Sequence, residues 1–173
     1  MLIIVALVVA VVIVAIIASQ YIGHGKISTG SPAPNFSLTD TNGVTVTLSL
    51  WKGSPVLIEF MDVDCPYCKE EAPVLQTLYV AYNAQGAKFV SIDMNFEGPA
   101  DTPYRVNSFR TNYSTPWSYC LDTGQSVVAA YGVSSTPTVF IVDKAGNVYG
   151  SYVGVNEASQ SNLAAALKAT LGG

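Results

Sequence analysis

Residues 56–60 form a short, almost entirely apolar run, and a pair of cysteines follows it closely. The run reads Val-Leu-Ile-Glu-Phe, and four residues (61–64) separate its end from the segment Cys65-Pro66-Tyr67-Cys68. A short apolar run of this composition is typical of a buried strand. Proline is favoured in the first turn of a helix, where its missing N–H leaves no hydrogen bond unmade. The order therefore predicts a strand that leads into a helix, with both cysteines in the first helical turn.

Two cysteines separated by two residues at a helix start indicate redox chemistry. The positive end of the helix dipole stabilises a thiolate, which attacks a disulfide, and the second thiol resolves the mixed disulfide. By position, Cys65 is predicted to be the exposed nucleophile and Cys68 the more buried resolving thiol. A zinc site would need two further ligands, whereas only Cys120 and His24 remain. No metal and no cofactor is therefore predicted.

The rest of the chain alternates short apolar runs with helical periods. Strands are predicted at 35–38, 44–48, 56–60, 88–94, 138–143 and 148–153, and the first two form a hairpin closed by Asn42-Gly43. Helices are predicted at 65–85, 102–113, 125–131 and 156–171, the second started by Thr102 and Pro103 and the last capped by Asn156. This order predicts an α/β sandwich with a mixed central sheet flanked by helices.

The N-terminal segment is predicted to be a membrane anchor. Residues 1–18 are all apolar, and a spanning helix needs about 20 residues, with a range of about 17–25. A cleaved signal peptide is the alternative, but no Lys or Arg precedes the apolar run. The predicted organisation is a transmembrane anchor at 1–22, a flexible tether at 23–33 and one folded domain at 34–173.

Charge gives little information about partners beyond one exclusion. Charged residues make up 12% of the chain, against about 25% in typical proteins, and the net charge is −4. No basic run is present, so nucleic-acid binding is not predicted. Because a start-proximal anchor followed by one domain usually exports that domain, the redox domain is predicted to lie outside the cytoplasm.

Several motifs together resemble a known family. Five segments follow one another in this order: residues 34–40 (Pro-Asn-Phe-Ser-Leu-Thr-Asp), Asn42-Gly43, Trp51-Lys52-Gly53, the 56–60 run and the Cys-Pro-Tyr-Cys segment. This order resembles that of membrane-anchored thioredoxin-like proteins of the TlpA/ResA type, within the AhpC/TSA redoxin group. The resemblance spans roughly residues 31–171. It implies a thioredoxin-like fold and a thiol–disulfide oxidoreductase that reduces or exchanges disulfides of extracytoplasmic client proteins, with a membrane electron donor.

The resemblance also implies a substrate-binding loop. Thr136-Pro137 matches the cis-proline loop of the family, which packs beside the active cysteines and pairs with the substrate backbone. Without the resemblance, a trans proline before a strand would be the ordinary interpretation, since cis bonds are about 5–6% of X–Pro bonds. Tyr67, between the two cysteines, is placed where it could touch a substrate.

Two acids match family positions beside the dithiol. Glu59 matches a buried acid beneath the cysteines and is predicted to transfer protons, with a pKa raised by desolvation. The alternative is a strand-end residue that reaches water. Glu71 lies one helical turn after Cys68 and matches an acid that tunes cysteine reactivity. Its alternative is a solvated residue on the helix face.

The local charge favours a reductase. Five acids crowd the dithiol and only Lys69 offsets them; the acids are Glu59, Asp62, Asp64, Glu70 and Glu71. Negative charge opposes thiolate formation and so favours the disulfide form. Cys120 is predicted to be a packed core thiol, with a third redox thiol or an intermolecular disulfide as the alternatives.

Three other functions remain open at this point. A peroxiredoxin would have Thr or Ser three residues before its reactive cysteine, where this chain has Asp62. A copper metallochaperone would add a histidine to its two thiols, and the chain has only His24, in the tether. A non-enzymatic holdase would not require the dithiol at all.

Overall fold

The computed structural model describes residues 27–154 and 157–172. No helix within these two ranges is both long and apolar enough to cross a membrane. The predicted anchor at 1–22 lies outside the described residues, as do the first four residues of the predicted tether and the predicted helix cap Asn156. The domain predicted from residue 34 onward is otherwise described almost in full.

A small hairpin precedes the main sheet. Strands β1 (Ser37–Thr39) and β2 (Thr45–Thr47) pair antiparallel, with Leu38 opposite Val46. The turn between them is held by Asp40, whose Oδ1 accepts hydrogen bonds from the backbone N–H groups of Asn42 and Val44 at 2.9 Å. The hairpin predicted around Asn42-Gly43 is therefore confirmed.

Five strands form the central mixed sheet. They are β3 (Val56–Met61), β4 (Lys88–Asp93), β5 (Ser118–Leu121), β6 (Thr138–Val142) and β7 (Val148–Val153). Their spatial order is β5-β4-β3-β6-β7, in which β3, β4 and β5 run parallel and β6 and β7 are antiparallel to their neighbours. Strand β3 is thus the central strand and is buried along its whole length.

Helices cover both faces of this sheet. They are α1 (Pro66–Tyr82), α2 (Pro103–Asn112), α3 (Ser126–Tyr131) and α4 (Glu157–Gly172). Residues of α1, α2 and α4 pack in one hydrophobic cluster, and those of α3 pack with the hairpin in the other. The predicted α/β sandwich is confirmed, and the sheet is mixed because β6 alone runs opposite to the other four strands.

Helix α1 begins where the sequence predicts and ends earlier. Cys65 takes the extended N-cap position and Pro66 is the first helical residue. The α-helix ends at Tyr82 and a short 3-10 turn (Asn83–Gln85) follows, closed by Gly86 at a φ of 102°. Only a residue without a side chain adopts that left-handed backbone readily, so the helix stops there.

Candidate active site

The dithiol lies at the junction of the central strand and helix α1. Strand β3 ends at Met61, and the backbone N–H of Cys65 donates a hydrogen bond to the carbonyl oxygen of Asp62 at 3.2 Å. The Cys65 carbonyl accepts from the N–H of Lys69 at 3.3 Å, which makes it the first carbonyl of the helix. Cys68 therefore lies in the first helical turn, as predicted, and both cysteines carry free thiols.

Cys65 is buried, which corrects the prediction of an exposed nucleophile. Its exposed fraction is 2%, and that of Cys68 is 0%. The Sγ of Cys65 donates a hydrogen bond to the carbonyl oxygen of Thr136 at 3.6 Å, so the loop before β6 covers the thiol. Sequence spacing places Cys65 at the helix start but carries no information about a loop 71 residues away. The predicted order holds, because Cys68 is the deeper of the two.

The covering loop contains a cis peptide bond. The Thr136–Pro137 bond is cis, as the family resemblance implied. The carbonyl oxygen of Pro137 accepts a hydrogen bond from the N–H of Gly154 at 2.9 Å, which joins the loop to the end of β7. Pro137 is buried and Thr136 is half-buried, whereas Tyr67, between the two cysteines, is 60% exposed.

Glu59 is buried on the face of the sheet that carries helix α1. Side chains alternate along a strand, so Glu59 shares the face of Leu57 and Met61, which pack in one cluster with Cys68. Its exposed fraction is 1%. The alternative of a strand-end residue in contact with water is therefore wrong.

A polar chain of three residues holds the Glu59 carboxyl group. The hydroxyl of Ser91 on β4 donates to Oε2 of Glu59, and Nε1 of Trp117 donates to the Ser91 hydroxyl at 2.8 Å. The other oxygen, Oε1, has no hydrogen-bond partner within the described part of the chain. Burial raises the pKa of Glu59 to about 7, although the Ser91 hydrogen bond lowers it. The expected upward shift is confirmed.

Glu71 is also buried, so its alternative as a solvated helix-face residue is wrong. It is 3% exposed, and its Oε2 has no hydrogen-bond partner among the residues described. Burial, together with the negative charges of Glu59 and Cys65, raises the pKa of Glu71 to about 9. Two carboxyl groups therefore share the interior beneath the dithiol.

The thiol of Cys68 is affected by the same surroundings. Burial raises the pKa of Cys68 well above its ordinary value, and the negative charge of Glu59 adds to that shift. A backbone hydrogen bond from Asp62 acts in the opposite direction but is a smaller effect. Cys68 is therefore a protonated thiol at neutral pH.

Cys120 is separated from the dithiol by the sheet. It lies fully buried on β5, in the cluster that packs under helix α3, whereas Cys65 and Cys68 belong to the cluster on the opposite face. Burial, followed by the negative charge of Asp40, raises the pKa of Cys120 to about 12. The prediction of a packed core thiol is confirmed. Within residues 27–154 and 157–172, no three His, Cys, Asp or Glu side chains are arranged to hold a metal ion.

Comparison with known proteins supplies the family. The sequence pattern of the AhpC/TSA family matches residues 29–151. The chain belongs to this family. It is 35% identical over 128 residues to the thiol-disulfide oxidoreductase ResA of Bacillus subtilis, covering 74% of this chain and 69% of that protein. It is 32% identical over 129 residues to ResA of Bacillus anthracis, covering 75% and 72%.

A solved structure gives the same answer for the fold. A crystal structure described as a thiol:disulfide interchange protein DsbE, from Chlorobium tepidum, superposes with a TM-score of 0.75 at 26% identity, covering 84% of this chain and 99% of that one. The fold is thioredoxin-like. With the paired cysteines of the family in place, the chain is a thiol–disulfide oxidoreductase of the AhpC/TSA family.

The acids near the dithiol are paired in ways that the sequence did not reveal. Asp62 is fully buried, and its Oδ2 accepts hydrogen bonds from the backbone N–H groups of Phe96 at 2.6 Å and Glu97 at 2.7 Å. Asp64 forms an ion pair with Arg105 at 2.7 Å. The prediction that only Lys69 offsets the local negative charge is therefore wrong. Arg105 follows 41 residues after Asp64, so no sequence spacing indicated it.

A further pair of acids lies behind this region. Asp93 at the end of β4 is fully buried, and burial raises its pKa to about 8, helped by the negative charge of Asp101. Burial also raises the pKa of Asp101, although the nearby Arg105 lowers it. Together with Glu59 and Glu71, these residues give the protein several carboxyl groups that the folded state prefers to keep protonated.

We expect the folded protein to lose stability as the pH rises from 5 to 9. Glu59, Glu71 and Asp93 have folded pKa values of about 7, 9 and 8, above their unfolded values. Their stabilising contribution is complete below the unfolded values of about 4 and is lost as the pH rises through the folded ones. One pKa unit is worth about 1.4 kcal/mol, so the Glu59 contribution is on the order of 3 kcal/mol. Urea unfolding across this pH range measures the change.

The matched variants for this measurement are Glu59→Gln and Glu70→Gln. Glu59 is buried and Glu70 is exposed, although the two carry the same side chain. Glu59→Gln should flatten the decline between pH 5 and 7, and Glu70→Gln should leave it unchanged. A free energy of unfolding that rises between pH 5 and 9 would contradict the buried, protonated state of these acids.

Proposed function

We propose that the chain reduces disulfide bonds of client proteins outside the cytoplasm, with Cys65 as nucleophile and Cys68 as resolving thiol. The observation that carries the proposal is the position of Cys65. It is the N-cap of α1, and its Sγ lies 3.6 Å from the Thr136 carbonyl of the cis-proline loop. The positive end of the helix dipole stabilises a thiolate at this position.

The reaction proceeds in two exchanges. The Cys65 thiolate attacks one sulfur of the client disulfide, the client S–S bond breaks, and one client thiolate leaves. Cys68 then loses its proton and attacks Cys65, which forms the Cys65–Cys68 disulfide and releases the second client thiolate. Two electrons pass to the client in this cycle. A membrane protein with a dithiol would return two electrons and regenerate the free thiols.

The second exchange needs a proton acceptor close to Cys68. Glu59 supports this role because its charge acts on Cys68 and its pKa is about 7, so the carboxyl group gains and loses protons near neutral pH. Glu71, with a pKa of about 9, is protonated at neutral pH and fits a supporting role. We assign proton transfer to Glu59 and adjustment of the local charge to Glu71.

The cis-proline loop is the proposed site for the client backbone. The carbonyl of Thr136 already contacts Cys65, so a client cysteine that reaches Cys65 must approach this edge of the loop. Pro137 is buried and keeps Thr136 in place, while the exposed ring of Tyr67 can contact the client from the other side. Thr136, Pro137 and Tyr67 are therefore proposed to bind the substrate.

Reduction is the proposed direction because the site disfavours the thiolate of Cys68. Burial and the negative charge of Glu59 raise the pKa of Cys68, and a thiol that resists ionisation makes the disulfide form relatively favourable. A dithiol whose disulfide form is favoured gives up its electrons readily. The proposed location at a membrane, with the domain outside the cytoplasm, is supported by residues 1–22. This segment contains a run of 18 consecutive apolar residues, which is long enough to anchor the chain in a membrane.

Replacing each cysteine by serine tests the function and the two roles. We expect Cys65→Ser to abolish reduction of insulin disulfides by the full chain in detergent. Cys68→Ser should instead accumulate a mixed disulfide between Cys65 and the client, because resolution fails. Cys120→Ser is the matched control and should keep full activity, since Cys120 lies on the opposite face of the sheet.

The reduction potential of the couple is the second readout of the same experiment. A reductase is expected to have a reduction potential like that of thioredoxin, about −270 mV, and a potential of about −120 mV would reverse the proposed direction. Trapping of the client through Cys68 rather than Cys65 would overturn the assignment of the nucleophile.

Rate measurements between pH 5 and 10 test the acids. We expect Glu59→Gln to slow exchange at pH 7 by at least about tenfold and to remove the dependence on a group titrating near pH 7. Glu71→Gln should alter the curve mainly toward pH 9, where the parent carboxyl group ionises. Glu70→Gln is the exposed control. Equal curves for the parent and Glu59→Gln would rule out the proton-transfer role.

Protease accessibility tests the proposed location. In intact cells whose outer wall has been removed, an added protease should digest the domain while a cytoplasmic marker stays whole. The undigested remainder should retain residues 1–22 in the membrane fraction. A domain that stays protected until the membrane is broken would place the chemistry in the cytoplasm, and a soluble, shortened product would indicate a cleaved signal peptide.

A further inference from the structure

The residue before the nucleophile is fixed at every polar group. Asp64 directly precedes Cys65, and Nη2 of Arg105 donates to both of its carboxylate oxygens, at 2.7 and 2.8 Å. The backbone N–H of Asp64 donates to Asp62 Oδ1 at 2.8 Å, and its carbonyl accepts from Nζ of Lys69 at 3.2 Å. An acid at this position therefore has one defined orientation.

Arg105 also ties the β4–α2 loop (residues 94–102) to the dithiol. Its Nη1 donates to the carbonyl of Pro99 and to Oδ1 of Asp101, each at 2.7 Å. The loop lies directly against Asp64, because a Cβ added to Gly98 would clash with Asp64 Oδ2. One guanidinium group thus joins the loop, helix α2 and the residue next to the nucleophile.

The charge balance gives this contact a chemical consequence. Unpaired, the Asp64 carboxylate would add a negative charge one residue from Cys65 and oppose its ionisation. The other charged groups around the junction are Asp62 before it; Lys69, Glu70 and Glu71 on α1; Glu59 on β3; Asp93 at the end of β4; and Glu97 and Asp101 on the loop. The cis-proline loop brings no charge, since residues 135–138 read Ser-Thr-Pro-Thr. Arg105 and Lys69 are the cations in this group.

We propose that Arg105 is a positioning residue for the redox chemistry, which neutralises Asp64 beside Cys65 and holds the β4–α2 loop against the strand-to-helix junction. The inference rests on the proposed function, because it assigns Cys65 as the nucleophile. Arg105 does not touch the reacting sulfur atoms. It acts through Asp64. When Arg105 is removed, the negative charge of the Asp64 carboxylate is no longer neutralised by the guanidinium group and acts on the Cys65 thiol.

The experiment is a double-mutant cycle on the full chain in detergent. The variants are Arg105→Gln, Asp64→Asn, the two combined, and the charge-preserving Arg105→Lys. The readout is the rate at which iodoacetamide labels Cys65, measured between pH 5 and 10. Peptide mapping identifies the labelled cysteine. Arg110→Gln is the matched control, since Arg110 lies on the same helix and bonds to the Thr115 carbonyl instead.

Arg105→Gln should slow labelling at pH 7 by about three- to tenfold and move the midpoint of the pH–rate curve upward, as expected for one unpaired charge beside a thiol. The double variant should behave like Asp64→Asn alone, because the arginine has no effect without its partner. Arg105→Lys should restore much of the parent rate, and Arg110→Gln should match the parent. Added salt at 1 M should reduce the difference between Arg105→Gln and the parent.

A purely structural role gives a different pattern. If Arg105→Gln only loosens the fold, labelling of Cys65 becomes faster as the thiol is uncovered, the double variant is no closer to Asp64→Asn, and the proposal is overturned. Labelling needs no client, so the Arg105 test stands apart from the test of function. Failure of the parent protein to reduce insulin would reject the proposed function. An Arg105→Gln variant that is labelled at the parent rate would reject the role of Arg105 alone.

Discussion

The burial of one carboxyl group, that of Glu59, constrains the chemistry of the whole site. A carboxylate transferred from water to an apolar interior is strongly disfavoured unless it is paired or protonated. Here the central strand supplies no cation, and the hydroxyl of Ser91 is the hydrogen-bond donor at Oε2. The neutral acid is therefore the stable form over much of the pH range, and its pKa of about 7 follows from that balance.

In the proposed reaction, this balance couples electron transfer to proton transfer. Cys68 and Glu71 lie on helix α1 directly over the face of β3 that carries Glu59, and the charge of Glu59 raises the pKa of both. Ionisation of any one of the three groups disfavours ionisation of the others, so their titrations belong to the cluster. In the proposed second exchange, the proton of Cys68 must move within this cluster, because the thiol has no exposed surface.

The sequence predicted what depends on neighbouring residues and on the family pattern. The strand before the dithiol, the helix starts at Pro66 and Thr102-Pro103, the hairpin and the cis bond at Pro137 all agree with the structure. Each follows from hydrogen-bonding and backbone rules acting over a few residues, or from a motif. The depth of Cys65 did not follow, because a loop 71 residues away covers it.

Counting acids near the dithiol in the sequence gave a misleading picture of its charge. Glu59 and Glu71 are buried and have raised pKa values. Asp62 accepts hydrogen bonds from backbone N–H groups, and Asp64 is paired with Arg105. Only Glu70 is an exposed acid without such a contact among these five in the structure. The field at the cysteines is therefore set by burial and by partners brought from the β4–α2 region. Both depend on the tertiary fold, so this oxidoreductase can carry many acids beside its dithiol without an equal accumulation of negative charge.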